Sequence, residues 1–286
     1  MPLLALIAVL LAALTHATWN LAAKRAAASR HFVWLYSLAS VLLWTPAALW
    51  ALWQAGFRLS GLQCVALGAT ALLHLGYSLA LQAGYRAADL SLVYPVARGF
   101  GPLLSFVGAV LLLHERPGPL AFLGLGLILL GIALVANLTR SLRHATHRGV
   151  GWGIMTGSCI AAYTLNDGWA VKVLLLSPLI VDYSGNLFRV LALSPRAFAD
   201  RARLAHELRA YARPALVVGL LGPLGYILVL CAMRIAPVSH VAPARELATL
   251  VGTFFGARLL REPAVRARLT GALCIVAGVV SLAVEQ

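Results

Sequence analysis

Five ionisable side chains stand inside long apolar stretches of this sequence: Arg98, Asp167, Asp182 and the adjacent Arg245 and Glu246. At the centre of a bilayer such a charge costs about 2.5–3.5 kcal/mol on insertion scales. It is tolerated where it faces a wet cavity or an opposite charge. Polar and aromatic residues accompany the charges: His16, Trp19, Asn20, His74, Tyr77, Tyr94, Tyr163, Tyr226 and His240. These groups suit recognition rather than bond breaking. A guanidinium matches a carboxylate in geometry, so Arg98 is the expected anchor for an anionic group. Glu246 or Asp167 would meet an ammonium or carry a proton. Tyr94, Tyr163 and Trp19 would wall the site, and His16 and His240 titrate in a useful range.

Spacing groups these residues into faces. Tyr94 and Arg98 are four apart, as are Tyr163 and Asp167. His16, Trp19 and Asn20 stand at i, i+3 and i+4. Residues three and four apart share a helix face, so each group reads as a polar aromatic stripe on a cavity wall. Plainer roles stand beside these. Arg98 with Glu246 also makes a structural lock, His74 also reads as an interhelical hydrogen-bonding residue, and for Asp182 site and structural roles stand equal. Glu115 and Glu262 close their stretches at a membrane face, which suits a gate better than a ligand contact.

The elements that must position these groups are membrane helices. Apolar residues make up 61% and charged residues 11% of the 286-residue chain, against about 45–50% and about 25% in soluble domains. A bilayer is crossed by about 20 apolar residues. Ten such stretches can be drawn, near 2–22, 32–53, 61–82, 89–113, 118–138, 149–170, 173–194, 214–233, 237–260 and 268–284. The segment from Ser194 to Arg213 reads as the longest polar connection. Cys64, Cys159, Cys231 and Cys274 lie singly in apolar stretches and read as small packing residues, not metal ligands or disulfides.

The chain repeats itself. At an offset of 148, Arg86 falls on Arg234, Ser91 on Ser239, Pro95 on Pro243, Arg98 on Glu246 and Gly108 on Gly256. After a one-residue slip, Glu115 falls on Glu262, and Gly124 and Gly131 fall on Gly271 and Gly278, which read as close-packing positions. The expected organisation is a first five-helix unit over 1–140, a hinge over 141–148 and a second unit over 149–286. Five spans per half is an odd number, so the halves insert in opposite senses, making an inverted repeat. Pro95 and Pro243 each remove a backbone donor at matching places. The net charge of +14 fits this topology better than a nucleic-acid partner. Odd-numbered connections and their flanks hold 17 Lys and Arg, even-numbered ones four. Lys and Arg gather on the cytoplasmic side, which puts both termini on the periplasmic side.

On the stretches His16-Ala17-Thr18-Trp19-Asn20, Asp89 through Gly99, Leu113-His114-Glu115-Arg116, Tyr163-Thr164-Leu165-Asn166-Asp167 and Ala242-Pro243-Ala244-Arg245-Glu246, the chain resembles the drug/metabolite transporter superfamily. It is most similar to the ten-span bacterial EamA type. The span-four stretch is the most specific of these. The resemblance covers essentially the whole chain. It implies two inverted five-helix repeats, a central cavity lined by spans one, three, four, six, eight and nine, and alternating access. Many relatives export amino acids or other small metabolites. Many are drawn with cytoplasmic termini, the reverse of what the arginine distribution gives here.

The expectation is thus an all-α integral membrane protein of about ten transmembrane helices in a bacterial inner membrane. It would act as a secondary transporter, an exporter of small metabolites, with an amino-acid-like zwitterion fitting the pattern. A proton is the candidate coupling ion, and a monomer or homodimer is expected. No Walker loop is present and no cofactor is expected. A lipid or lipid-carrier flippase on the same scaffold is the first alternative, with the arginines from Arg196 to Arg213 suiting anionic headgroups. A membrane-embedded enzyme is the second, but the acids are scattered and no HExxH or paired-aspartate motif occurs.

Overall fold

The computed structural model describes residues 1–26, 28–88, 90–136, 146–248, 250 and 265–285. Among these residues every regular element is a helix: α1 (Leu3–Lys24), α2 (Phe32–Gln54), α3 (Gly61–Ala87), α4 (Leu90–Leu112), α5 (Pro119–Val135), α6 (His147–Lys172), α7 (Pro178–Ala199), α8 (Arg201–Ile235), α9 (Val238–Ala244) and α10 (Val265–Val284). Most of the hinge expected over 141–148 lies outside the described residues, as do Asp89, Gly256 and Glu262.

Local chemistry sets several helix starts. Ser60 and Gln63 form a reciprocal capping box at α3. Thr146 accepts from the Gly149 amide at α6. Pro119 and Pro178 occupy the first turns of α5 and α7, where the missing N–H is no loss. α1, α2, α3, α4 and α8 are long and apolar enough to cross a membrane, and α5 and Leu269–Val284 are shorter apolar helices. Large apolar side chains face outward from these helices, among them Leu4, Leu42, Trp53, Val65, Leu111 and Leu273. That surface is what a helical bundle embedded in a bilayer presents.

The segment read as a polar connection from Ser194 to Arg213 is helical instead. α7 runs to Ala199, and α8 starts at Arg201, where Asp200 accepts from the Arg203 amide at 3.2 Å. Ala, Arg, Leu and Glu are strong helix formers, and the cap completes the start. At 35 residues, α8 is about 52 Å long at ~1.5 Å per residue, so its polar first third, residues 201–213, extends beyond an apolar core of about 30 Å. That extension carries Glu207, 3% exposed. Its carboxylate accepts from Ser29 Oγ (2.7 Å), the Arg30 and His31 amides (3.1 and 3.0 Å) and Arg203 Nε (3.0 Å), and His31 Nδ1 lies 3.1 Å away. The connection between α1 and α2 is thereby tied to α8.

The helices pack through small residues. α5 and α10 pack along glycines: a Cβ on Gly131 would lie 2.6 Å from the Gly271 carbonyl oxygen, and one on Gly124 2.8 Å from that of Gly278. Rising residue numbers in α5 thus meet falling numbers in α10, so the two helices run antiparallel. α1 packs on α8 and α3 on α6; α2 packs on α8 and α3 on α7. α4 meets α6 where Gly157 lies against Ala97 and Phe100. The drawn span 237–260 is interrupted. α9 contains Pro243 and ends at Ala244, and Arg245 and Glu246 follow in a turn.

At the opposite end of the bundle, Glu115 takes the free amides of Val238 (2.8 Å) and Ser239 (2.9 Å) at the start of α9, and Lys172 Nζ lies 3.4 Å from it. The Met1 ammonium donates to the carbonyls of Ala283 and Glu285 at 2.9 and 2.7 Å. Gln63 Nε2 donates to the Leu174 carbonyl at 2.9 Å.

Two outcomes follow from these contacts. Gly131→Ala should lower the free energy of unfolding in detergent by about 1–3 kcal/mol, as for an overpacked site. Gly126→Ala, where nothing lies within 4 Å of the new Cβ, should be near neutral. Equal effects would show that the helix contact is not what the mutation probes. Burial alone would raise the Glu207 carboxyl, but the hydrogen bonds from Ser29, Arg203, His31 and Arg30 hold it down at about 2. A carboxyl held below its ordinary 4.5 stabilises the fold fully above that value and loses the contribution as pH falls toward 2. Glu207→Gln should flatten the acid limb of a stability–pH profile between those two values.

Candidate functional site

A cavity of about 200 Å³ lies in the middle of the bundle. α1 contributes His16 and Trp19, α3 contributes His74, Tyr77 and Ser78, and α4 contributes Arg98. From the second half come Tyr163 on α6, Tyr226 on α8 and Arg245 just past α9. α2 and α7 also reach it, through Tyr36 and Ser40 and through Asp182, Asn186 and Arg189. The lining thus draws on all six spans that the resemblance implies, span nine through Arg245 and Ala248 past the end of α9, and on α2 and α7.

Aromatic rings form one wall. His74 stacks on Tyr163 with centroids 4.1 Å apart and planes at 22°. Tyr226 meets the His74 ring edge-on at 5.3 Å, and Tyr77 meets Tyr163 at 5.8 Å. His16 and Trp19 pack edge-to-face at 4.6 Å. Small side chains opposite, Ala12, Ala13 and Gly222, leave the volume open.

The charges sort by partner. Arg98 Nε lies 3.1 Å from Glu246 Oε2, with both side chains largely buried, and its guanidinium lies 5.7 Å from the Tyr94 ring centroid. This is the lock that the repeat positions allowed, and it joins α4 to the turn after α9. Asp167 is fully buried and its oxygens are occupied by protein donors. Oδ1 accepts from Thr70 Oγ1 and from Asn166 Nδ2 at 3.1 Å. Oδ2 accepts from Tyr226 OH at 2.5 Å, and His74 Nε2 lies 3.1 Å from it. Asp167 therefore sits behind the wall and orients His74 and Tyr226, the hydrogen-bonding role weighed for His74.

Arg245 and Arg189 differ. Neither has a carboxylate within 4.0 Å among the described residues. Arg245 reaches Thr164 Oγ1 at 3.4 Å and lies over the Tyr226 ring at 5.5 Å. Arg189 donates to Tyr36 OH at 3.3 Å and Asn186 Oδ1 at 2.9 Å. Asn186 Nδ2 in turn donates to Asp182 Oδ2 at 2.9 Å. Arg189 is one of the 17 Lys and Arg assigned from sequence to odd-numbered connections and their flanks, span seven reading as 173–194. α7 runs to Ala199, which puts Arg189 in mid-helix. Asp182, Asn186 and Arg189 stand at i, i+4 and i+7, a stripe that the sequence shows once the helix is placed correctly.

Five expected site residues are not in the lining, Asp167 behind the wall being one. His240 lies toward the Glu285 end, where Nε2 lies 3.2 Å from Glu285 Oε2 and Nδ1 lies 3.2 Å from Ser239 Oγ; it is early in α9, more than a turn from the break that carries Arg245. Asn20 is absent from the lining and Tyr94 lies beyond Arg98. Glu246 is 3% exposed behind Arg98.

No protein-family model matches the chain, and no curated protein is significantly similar to it. Solved structures do match. One, described only as "Crystal structure of protein", aligns over 98% of this chain and 96% of its own with a TM-score of 0.73 at 18% identity. That likeness shows a shared fold.

Glu246→Ala would leave the Arg98 guanidinium uncompensated in a buried place, at a cost of about 3–5 kcal/mol. Unfolding by denaturant titration in detergent should show it. Combining Arg98→Met with Glu246→Met should recover most of the loss. No recovery would mean that Glu246 acts through other contacts.

Proposed function

We propose that this chain is a secondary transporter of small polar metabolites in a bacterial inner membrane, built as two inverted five-helix repeats of the EamA type. The single observation that carries this reading is the cavity: a space of about 200 Å³ at mid-bundle, lined from both halves by aromatic rings and by charges with ligand-binding capacity to spare. A sensor or scaffold gives no reason for charged residues in matched halves.

Several features support the two-fold organisation. Exchanging the halves turns α1 on α8 into α6 on α3, and α2 on α8 into α7 on α3, and both members of each exchange are packed neighbours. The α5–α10 contact maps onto itself, Gly124 with Gly278 becoming Gly271 with Gly131. Arg98 and Glu246 are equivalent positions and pair directly. Alternating access would rock the halves about the cavity. Ties at Glu115, Gln63 and Met1 hold one end together, so opening there would break them. The Arg-rich end, with α8 projecting, would face the cytoplasm by the charge rule, which leaves both termini outside. A proton is the proposed coupling ion, and the unit would work as a monomer or homodimer.

Reconstituted protein should show saturable, trans-stimulated flux of a small solute across proteoliposomes. Arg245→Gln, in the cavity lining, should abolish that flux while the protein stays folded. Lipid scrambling without solute flux would replace this reading with a flippase, and flux unaffected by Arg245→Gln would remove the site assignment.

A further inference from the structure

The cavity's charged groups differ in what they can still offer. Arg98 is engaged with Glu246 at 3.1 Å. Asp167 has both oxygens on protein donors. What remains on the wall is Arg245, Arg189 and Asp182. Each is only partly buried. Arg245 uses one of its nitrogens on Thr164. Arg189 is steadied by Gly185 O, Tyr36 OH and Asn186 Oδ1, and a guanidinium has five donors in all. Asp182 is steadied through Asn186 on Oδ2.

These supports are neutral side chains and backbone, so they orient the charges without cancelling them. The guanidinium planes are also held by rings, Arg245 at 5.5 Å over Tyr226 and Arg189 at 5.8 Å over Tyr36. That is a preorganised donor set: two fixed guanidinium groups and one fixed carboxylate around one space. Bidentate guanidinium contacts favour planar carboxylates. A carboxylate held by a helical amide favours an ammonium over another acid.

We infer that the cavity binds an anionic zwitterion, a small amino dicarboxylate, with its two carboxylates on Arg245 and Arg189 and its ammonium on Asp182. The inference rests on the transporter reading only for its biological use; the binding geometry stands independently. It shifts the anchoring role expected of Arg98 to residues two of which, Arg189 and Asp182, lie on α7.

The test is a thermal-shift and calorimetric series on purified full-length protein in detergent. The probes are L-glutamate, L-aspartate, glutarate, 4-aminobutyrate, L-glutamine and putrescine. A ligand that binds the folded state raises apparent stability. Glutamate or aspartate should stabilise most. Glutarate lacks the amine, and 4-aminobutyrate and glutamine lack one carboxylate, so these should bind about 10-fold or more weaker. Arg189→Gln should erase the preference of glutamate over glutamine. Asp182→Asn should erase the preference of glutamate over glutarate. Stabilisation by glutamine, 4-aminobutyrate or putrescine equal to or above that by the amino dicarboxylates would overturn the inference, as would no response to either amino dicarboxylate. The wild-type series decides this even if a variant fails to fold. Proteoliposome flux separates the two readings. Binding without flux keeps the ligand class and removes transport. Flux of neutral or cationic solutes, not inhibited by glutamate or aspartate, keeps transport and removes the ligand class.

Discussion

An ion held among apolar helices needs a partner close enough to repay lost hydration, and the interior of this bundle is arranged around that need. Arg98 on α4 and Glu246 after α9 meet at 3.1 Å with little exposure of either. Meeting there requires α9 to stop early. Pro243 and the turn after Ala244 bring Arg245 and Glu246 out of a regular helix, so one residue turns to its partner while the next reaches the cavity. The break is therefore part of the charge arrangement. Irregular backbone at membrane depth is tolerated where it is buried in protein or lines a cavity.

Asp167 solves the same problem differently. Four hydrogen-bonding neighbours from α3, α6 and α8 surround its two oxygens. A buried carboxylate with full coordination is affordable, whereas one with a vacant lone pair is costly. In meeting that requirement, Asp167 fixes the stack of His74 on Tyr163 and the edge contact of Tyr226. The aromatic wall is thus held from behind. Close helix packing supplies the rest: glycines bring α5 against α10 and α4 against α6, and the cavity is lined by the long helices other than α5 and α10 and by the turn after α9.

Much of this architecture could be read from the chain. Apolar stretches located eight of the ten helices to about a turn and a half, because bilayer thickness sets their length; α8 starts 13 residues before its drawn span and α9 stops 16 residues short of its own. The glycines at 124, 131, 271 and 278 were recognisable as packing positions, and the structure uses them so. His16, Trp19, His74, Tyr77, Arg98, Tyr163, Tyr226 and Arg245 all line the cavity. The misreadings have two origins. The polar residues from Ser194 to Arg213 resembled a loop by hydropathy, but their helix propensity is high and Asp200 caps the second helix. Ending α7 too early hid Arg189 from the site. His240 was drawn in by its neighbours in sequence, but it stands too near the start of α9 and pairs with Glu285.

The sequence by itself determined that the chain is helical, apolar and suited to a membrane, and which residue types are out of place in an apolar medium. These follow from composition and local periodicity, which every window of the chain carries. Only the tertiary structure decided which charges compensate each other. Arg98 and Glu246 are 148 positions apart, and Asp167 gathers donors from Thr70 to Tyr226. Whether a charge is spent on the protein or left for a ligand depends on distances of about 3 Å between helices, and no local pattern in the chain encodes those distances.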